Sequence, residues 1–319
     1  MKKLTTQHVY QLYQKHLGRM PESQAVITHH IKTYKDCESF EKALMESPEY
    51  QQNLNNNQLR QQFLGLGRSL PAKIQTDATD AQMQKLFERT QKQWSFFGKT
   101  DPYWSVITHP NFKKEKITDY LEDFFQSGSQ TAKLVEQFWS RNEFRPINET
   151  CIELGCGVGR VTVHLAKVFK NVVAVDISAG NLDLCKVNAA RFNVSNVTTF
   201  LLTHPSQLSS MPKCDFFYSV IVLQHNPPPV AAFCLDQLLG LVKPGGAALF
   251  QVPTHTPGYS FDLTRYLEAS NNDLKMEMHC IPMRKVFSLL ARHGFTVMET
   301  VADDWTPWAG SHTFFAFKS

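Results

Sequence analysis

The chain has 319 residues, enough for two domains or for one large domain with an appendage. Its 42% hydrophobic and 19% charged residues are ordinary for a soluble globular protein, and no run of about 18 apolar residues exists to cross a membrane as a helix. A net charge of +4 without a concentrated basic stripe does not suggest a dedicated nucleic-acid binder.

The start, Met1-Lys2-Lys3-Leu4-Thr5-Thr6, has no apolar run behind its lysines and does not read as a signal peptide. The seven cysteines are odd in number, scattered and free of any CxxC pair, so reduced thiols in the cytoplasm are the simplest account.

Helical periodicity comes first. Val9, Leu12, Tyr13, His16 and Leu17 form a mostly apolar stripe, with Gly18 able to end the helix and Pro21 beyond it. Two more helical stretches are expected around residues 22–34 and 39–46, and Ser47-Pro48 marks a break. From about Gln51 to Thr79 the chain turns rich in Asn and Gln, with isolated Gly and Pro71, which suits a connector better than a core.

A second helical set begins near Asp80. Met83, Leu86, Phe87, Thr90, Trp94 and Phe97 line one face, Ile117, Tyr120, Leu121, Phe124 and Phe125 another, and Leu134, Val135, Phe138 and Trp139 a third. Gly98 to Trp104 is expected as a loop carrying two large aromatics, Tyr103 and Trp104, as lid or acceptor platform; burial between helices explains them equally well. From Thr150 short apolar runs alternate with helix-like segments, the rhythm of a mostly parallel sheet. The runs are 151–154, 172–175, 197–202, 216–222, 247–252, 296–301 and 313–317. The domain reading is therefore 1–55 helical module, 56–79 connector, 80–145 helical lid or extension, and 146–319 catalytic domain.

The segment Glu153-Leu154-Gly155-Cys156-Gly157-Val158-Gly159-Arg160 carries the most chemistry. It follows an apolar strand and opens a helix, so glycines let the backbone approach a ligand at a helix N-terminus. A dinucleotide loop would want its third glycine where Arg160 stands, which argues against an NAD-dependent oxidoreductase. Val172-Val173-Ala174-Val175-Asp176 ends in an acid 21 residues after Gly155, placed to accept two ribose hydroxyl protons or to cap the helix starting near Ala179.

The G-x-G-x-G loop with an acid two residues before it resembles motif I of class I methyltransferases. Asp176, the run Cys214 to His225, the turn Leu241 to Ala247, and Ala291 to Phe295 match that family's later landmarks in order. The resemblance covers most of 150–319. It implies a Rossmann-like α/β fold with seven strands, helices on both faces and an antiparallel last strand. It also implies S-adenosylmethionine as cofactor, held by Glu153, Gly155, Gly157, Gly159, Asp176, Ile177, Ser219 and Gln224, with Ile177 against the adenine. Asn226-Pro227-Pro228-Pro229 lacks the aromatic of the amino-methyltransferase motif, and Asn226 as N-cap with Pro227 at the first helical position explains it more simply.

Methyl transfer needs a general base only when the acceptor must lose a proton. His225, Glu277, His279 and His312 are the candidates, with His225 at the end of the fourth strand the best placed of them. Glu277 and His279 share a face only if their segment is extended. His279 beside Cys280 has no second ligand pair, so no metal is expected.

At the N-terminus, Val9-Tyr10 through Tyr13, Leu17-Gly18-Arg19 and Pro21 to Ser47-Pro48-Glu49-Tyr50 resembles a small bacterial helical module of unknown function. That module recurs beside methyltransferases and glycosyltransferases. The resemblance implies tethering or protein contact, and an acceptor that is a small molecule or a sugar-containing precursor. A non-catalytic S-adenosylmethionine-binding scaffold is the alternative.

Overall fold

A computed structural model describes residues 3–17, 19–52, 73–269, 274–306 and 310–319. Gly18, and residues 56–72 of the expected connector with Pro71, lie outside them. The chain forms two compact units, Met1–Ser69 and Leu70–Ser319.

In the first unit, α1 (Thr6–Leu17), α2 (Gln24–Thr33) and α3 (Cys37–Met45) bury a small core of Leu4, Val9, Tyr13, Leu17, Ile27, Phe40 and Leu44. Ser23 and Asp36 cap α2 and α3 by accepting from the N–H groups of Val26 and Ser39. Arg19 grips Glu49 with two parallel hydrogen bonds of 2.6 and 2.7 Å, which links two landmarks of the N-terminal pattern.

The second unit opens with α4 (Asp80–Thr100), whose capping box pairs Thr79 with Gln82. It continues with α5 (Pro102–Val106) and α6 (Ile117–Arg141). Two expectations change here. The apolar sets around 117–125 and 134–139 are one helix, α6, kinked at Tyr120, and Leu134 is exposed. The loop expected from Gly98 to Trp104 is mostly helix: α4 runs to Thr100, and Tyr103 and Trp104 sit on α5 behind Pro102. Gly98 serves close approach instead of a turn, because a Cβ there would come 2.1 Å from Ser178 Oγ.

Seven strands follow: β1 (Thr150–Leu154), β2 (Asn171–Asp176), β3 (Val197–Leu201), β4 (Cys214–Ser219), β5 (Val242–His255), β6 (Phe295–Ala302) and β7 (Gly310–Lys318). Their order across the sheet is β3-β2-β1-β4-β5-β7-β6. All pairings are parallel except those of β7, which runs antiparallel to both β5 and β6. Between them come α7 (Thr162–Leu165), α8 (Ala179–Arg191), α9 (Pro228–Leu241), α10 (Leu263–Glu268) and α11 (Met283–Arg292). Ser178, rather than Asp176, caps α8. Gly294, at φ 75°, ends α11 in the left-handed conformation that opens β6.

Two apolar clusters sandwich the sheet, one including Ile152, Phe217, Phe250 and Leu289, the other Trp139, Phe169, Phe216 and Phe315. The strand order reverses between β1 and β4, so a crevice opens outside their carboxyl ends.

Candidate functional site

A cavity with about 970 Å³ of empty space, its mouth included, occupies that crevice. The β1 carboxyl end supplies Glu153, Leu154 and the loop Gly155-Cys156-Gly157. Gly155 and Gly157 have φ values of 73° and 54°, which few side-chain-bearing residues adopt. A Cβ at Gly155 would stand 2.3 Å from Val222, and one at Gly157 2.5 Å from Val106. Both neighbours line the cavity, so the loop leaves no room for side chains at these two positions.

Asp176 closes the loop from β2. Its Oδ2 accepts the Gly157 N–H at 2.9 Å and its Oδ1 the Ser178 N–H at 2.8 Å. The Asn181 side chain and the Ile177 N–H also bond to this carboxylate, so a ligand diol would bind it alongside or in place of these donors. Burial pushes the Asp176 carboxyl above its ordinary value, against the pull of those N–H groups. Burial likewise pushes Glu153 up to about 7, opposed by the Thr162 hydroxyl at 2.6 Å and by the Arg160 charge.

Beyond β4 the chain lifts off the sheet sooner than expected. The strand ends at Ser219, and Ile221 takes φ 62°, a strained conformation for a β-branched residue. Gln251 of β5 holds this turn by accepting the Ile221 N–H at 2.9 Å. The same Gln251 donates to Gln224 Oε1 at 3.0 Å and to Ser311 Oγ at 2.7 Å. Gln224 in turn faces His225 Nε2 at 3.2 Å, and His225 Nδ1 lies 2.9 Å from the Glu277 carbonyl. A carbonyl only accepts, so Nδ1 carries the proton and Nε2 is the acceptor. Burial lowers the His225 pKa to about 4, which keeps the ring neutral near pH 7. Trp94 of α4 packs against that ring at 5.0 Å between centroids.

Among the expected site residues, Glu153, Gly155, Gly157, Asp176, Ile177 and His225 line the cavity together. Gly159 packs against α8, where a Cβ would meet Cys185 Sγ at 3.0 Å. Ser219 donates to the Leu154 carbonyl at 3.3 Å, and Gln224 acts behind the wall through its hydrogen bonds. The Tyr103 hydroxyl meets the Asn188 side chain at 3.3 Å, and Trp104 packs near Phe97; neither lines the cavity.

Glu277 and His279 do share a side of an irregular segment, but in a separate cluster. Glu277 Oε1 pairs with Arg89 at 2.7 Å, and its Oε2 accepts from the Tyr266 hydroxyl and lies 3.2 Å from His279 Nε2. Tyr259 completes the group at 2.9 Å from His279 Nδ1. Burial pushes the Glu277 carboxyl up, but hydrogen bonds from His279, Tyr266 and Arg89 outweigh it and hold the group at about 2. His312 lies on β7 against Thr254 and does not line the cavity. Asn226 is not an N-cap: its amide donates to the Val222 carbonyl at 2.9 Å, and α9 starts one residue later than expected, with Pro227 as cap and Pro228 first in the helix.

Sequence reasoning missed several wall residues. Phe87, Thr90 and Trp94 come from α4, Ser105 and Val106 from α5, and Asn181 from α8. Arg160 and Tyr218 also line the cavity; both lie inside the matched segments 153–160 and 214–225, but neither was singled out as a site residue. Among the described residues no three His, Cys, Asp or Glu side chains are grouped to hold a metal, and no helix is long and apolar enough to cross a membrane.

Residues 151–246 match the family model described as a methyltransferase domain. A ubiquinone biosynthesis O-methyltransferase of Colwellia psychrerythraea is 29% identical over 116 residues, covering 36% of this chain and 46% of the relative. A probable cobalt-precorrin-6B C(15)-methyltransferase of Methanocaldococcus jannaschii is 39% identical over 49 residues, 15% of this chain and 27% of the relative. The chain thus spans less than half the length of these curated relatives. Among solved structures, magnesium protoporphyrin IX methyltransferase from Synechocystis with bound SAM is similar, with a TM-score of 0.49 and 18% identity over 72% of this chain and 97% of the other. The segment from β1 to the start of β5 is thus a methyltransferase domain, and S-adenosylmethionine is the cofactor of such a domain.

Proposed function

We infer that the protein transfers a methyl group from S-adenosylmethionine to a small-molecule acceptor, a sugar-containing precursor included. The observation that carries this reading is the Asp176 carboxylate bonded to the Gly157 N–H inside the cavity that also holds His225 and Trp94. The cofactor, when bound, brings a methyl group already activated on a sulfonium. The chain must then hold it, align the acceptor and keep water out; alignment alone supplies on the order of 7–11 kcal/mol in favourable cases.

The residues fit that group. The Gly155–Gly157 backbone accommodates a chain-like moiety, the Asp176 carboxylate at the cavity wall suits the ribose diol, and Ile177 with Leu202 offers apolar surface to the adenine. His225, Trp94 and Asn226 form the acceptor side. His225 Nε2, neutral and hydrogen-bonded to Gln224, suits orienting an acceptor hydroxyl better than storing its proton. We assign Glu277 and His279 to shaping that wall, through the Glu277 carbonyl that fixes the His225 ring. Tyr103 and Trp104 belong to the packing of the lid helices. All seven cysteines are unpaired, which supports a reducing compartment, the cytoplasm. Residues 1–55 are assigned to docking on a protein partner, on their pattern alone.

Calorimetric titration with S-adenosylmethionine, with NAD in parallel, tests the reading. Micromolar binding of the first and silence of the second is expected. Asp176→Ala should weaken the binding by about 1.5–3 kcal/mol, the scale of a hydrogen bond to a charged group. Silence of S-adenosylmethionine with folded, ligand-free protein would sink the reading, and an unchanged affinity in Asp176→Ala would displace the ribose from β2.

A further inference from the structure

Arg160 is 6% exposed, a guanidinium buried in the methyltransferase unit. Its Nη1 donates to Ser127 Oγ at 3.2 Å and Thr131 Oγ1 at 3.1 Å, both neutral hydroxyls of α6. Its Nε is buried without a hydrogen-bond partner, and among the described residues it forms no ion pair. The Tyr218 hydroxyl, on a β4 side chain 3% exposed, is likewise buried without a partner. Both side chains line the same cavity.

A buried cation without a counter-ion, beside an unmet hydroxyl donor, is costly unless a ligand answers both. Burial raises the Tyr218 pKa, and the Arg160 charge is the largest influence in the opposite direction, so the two groups lie within electrostatic reach. The carboxyl whose charge acts on Arg160 is that of Glu153, and burial holds it at about 7, so it stays partly protonated near neutrality and offsets the guanidinium incompletely. The ligand charge that fits is a single anionic group with planar, paired oxygens, the shape a guanidinium fork matches.

We propose that Arg160 and Tyr218 form a carboxylate-binding pair in the cavity. The proposal rests on the cofactor reading above. Two sources carry that chemistry: the amino-acid carboxylate of the cofactor, and a carboxylate on the acceptor. Gly128 fixes the arrangement from α6, since a Cβ there would stand 2.1 Å from the Arg160 carbonyl; α6 therefore rests directly on the residue that ends the glycine loop.

The test is calorimetry with S-adenosylhomocysteine and its decarboxylated analogue, which keeps the amine, on the wild type, Arg160→Met and Tyr218→Phe. With the cofactor as source, the wild type prefers the carboxylate form at least tenfold, and each variant loses most of that preference. With the acceptor as source, the wild type binds both nucleosides alike, benzoate binds the S-adenosylhomocysteine complex, and the variants lose the benzoate. Variants that keep the wild-type preference, or keep benzoate binding, overturn the pair. Tyr218→Phe removes one hydroxyl and carries the test if Arg160→Met does not fold. Silence of both nucleosides in the wild type defeats the cofactor reading itself and removes the basis of the assignment. A wild type that binds both nucleosides alike and ignores benzoate defeats the pair alone.

Discussion

His225 sits in an environment far from the solvent its type prefers. Its position after β4 was readable because a histidine there faces the crevice of a doubly wound sheet. Its protonation was not readable, because it depends on the Glu277 carbonyl and on a burial that only the fold creates. The consequence is a pH dependence with a definite sign. The folded ring titrates at about 4, below the ordinary histidine value of 6.5. As pH falls below 6.5 the unfolded chain takes up a proton that the folded protein refuses, so stability declines from 6.5 down to 4. His225 alone contributes on the order of 3 kcal/mol across that window. Urea unfolding at several pH values should show His225→Gln losing less stability than the wild type between pH 7 and 4. Parallel curves would mean that the ring is charged or solvated in the fold. The Ile221 turn belongs to the same scale: a β-branched residue at φ 62° is held by Gln251, which also reaches Gln224, so the strain and the histidine share one hydrogen-bonded support.

Among the elements, α4 does more than its apolar stripe suggested. Met83, Leu86 and Phe87 enter the sheet core, and Phe87, Thr90 and Trp94 line the cavity. Periodicity shows that a face is covered but does not distinguish protein from ligand as the cover, which is why Trp94 reads as core in the sequence. The same ambiguity hid the end of the helix. Gly98 and Asp101-Pro102 have the composition of a turn, yet only Asp101 separates α4 from α5. Strands were easier: the unbroken run at β2 and the alternation of apolar segments with helices specify a buried parallel sheet. The middle of α4 is fastened by Arg89, which pairs with Glu277 at 2.7 Å and lies over the Tyr266 ring at 4.1 Å. The C-terminal end of α4 is fastened by the crossing at Gly98, against Ser178 Oγ and Asn181 Oδ1 of the α8 start. Gly98→Ala should therefore push α4 away from α8 and cost about 1–3 kcal/mol by overpacking. Because Asn181, Thr90 and Trp94 all line the cavity, affinity for S-adenosylhomocysteine should fall with it. Thermal unfolding and calorimetry on one preparation check both, and a variant as stable and as tight as the wild type would show that the crossing can widen freely.

For the whole molecule, composition and motif spacing located the mostly parallel sheet but said little about cooperativity. The apolar cluster of residues 4–44 shares no member with the clusters that flank the sheet. Each unit therefore has its own source of hydrophobic stabilisation, the first small and the second large. Every cavity-lining residue, from Phe87 to Cys234, lies in the second unit. A ligand that binds only the folded form raises stability by RT ln(1 + [L]/Kd), about 2.7 kcal/mol at a hundredfold excess over Kd, and only for the unit that binds it. Differential scanning calorimetry of the full chain should accordingly resolve two transitions. Saturating S-adenosylhomocysteine should raise the larger one by several degrees and leave the smaller one in place. A single transition that moves as a whole would mean that the two cores unfold as one cooperative body, and the N-terminal helices would then have to be counted as part of the second unit's stability.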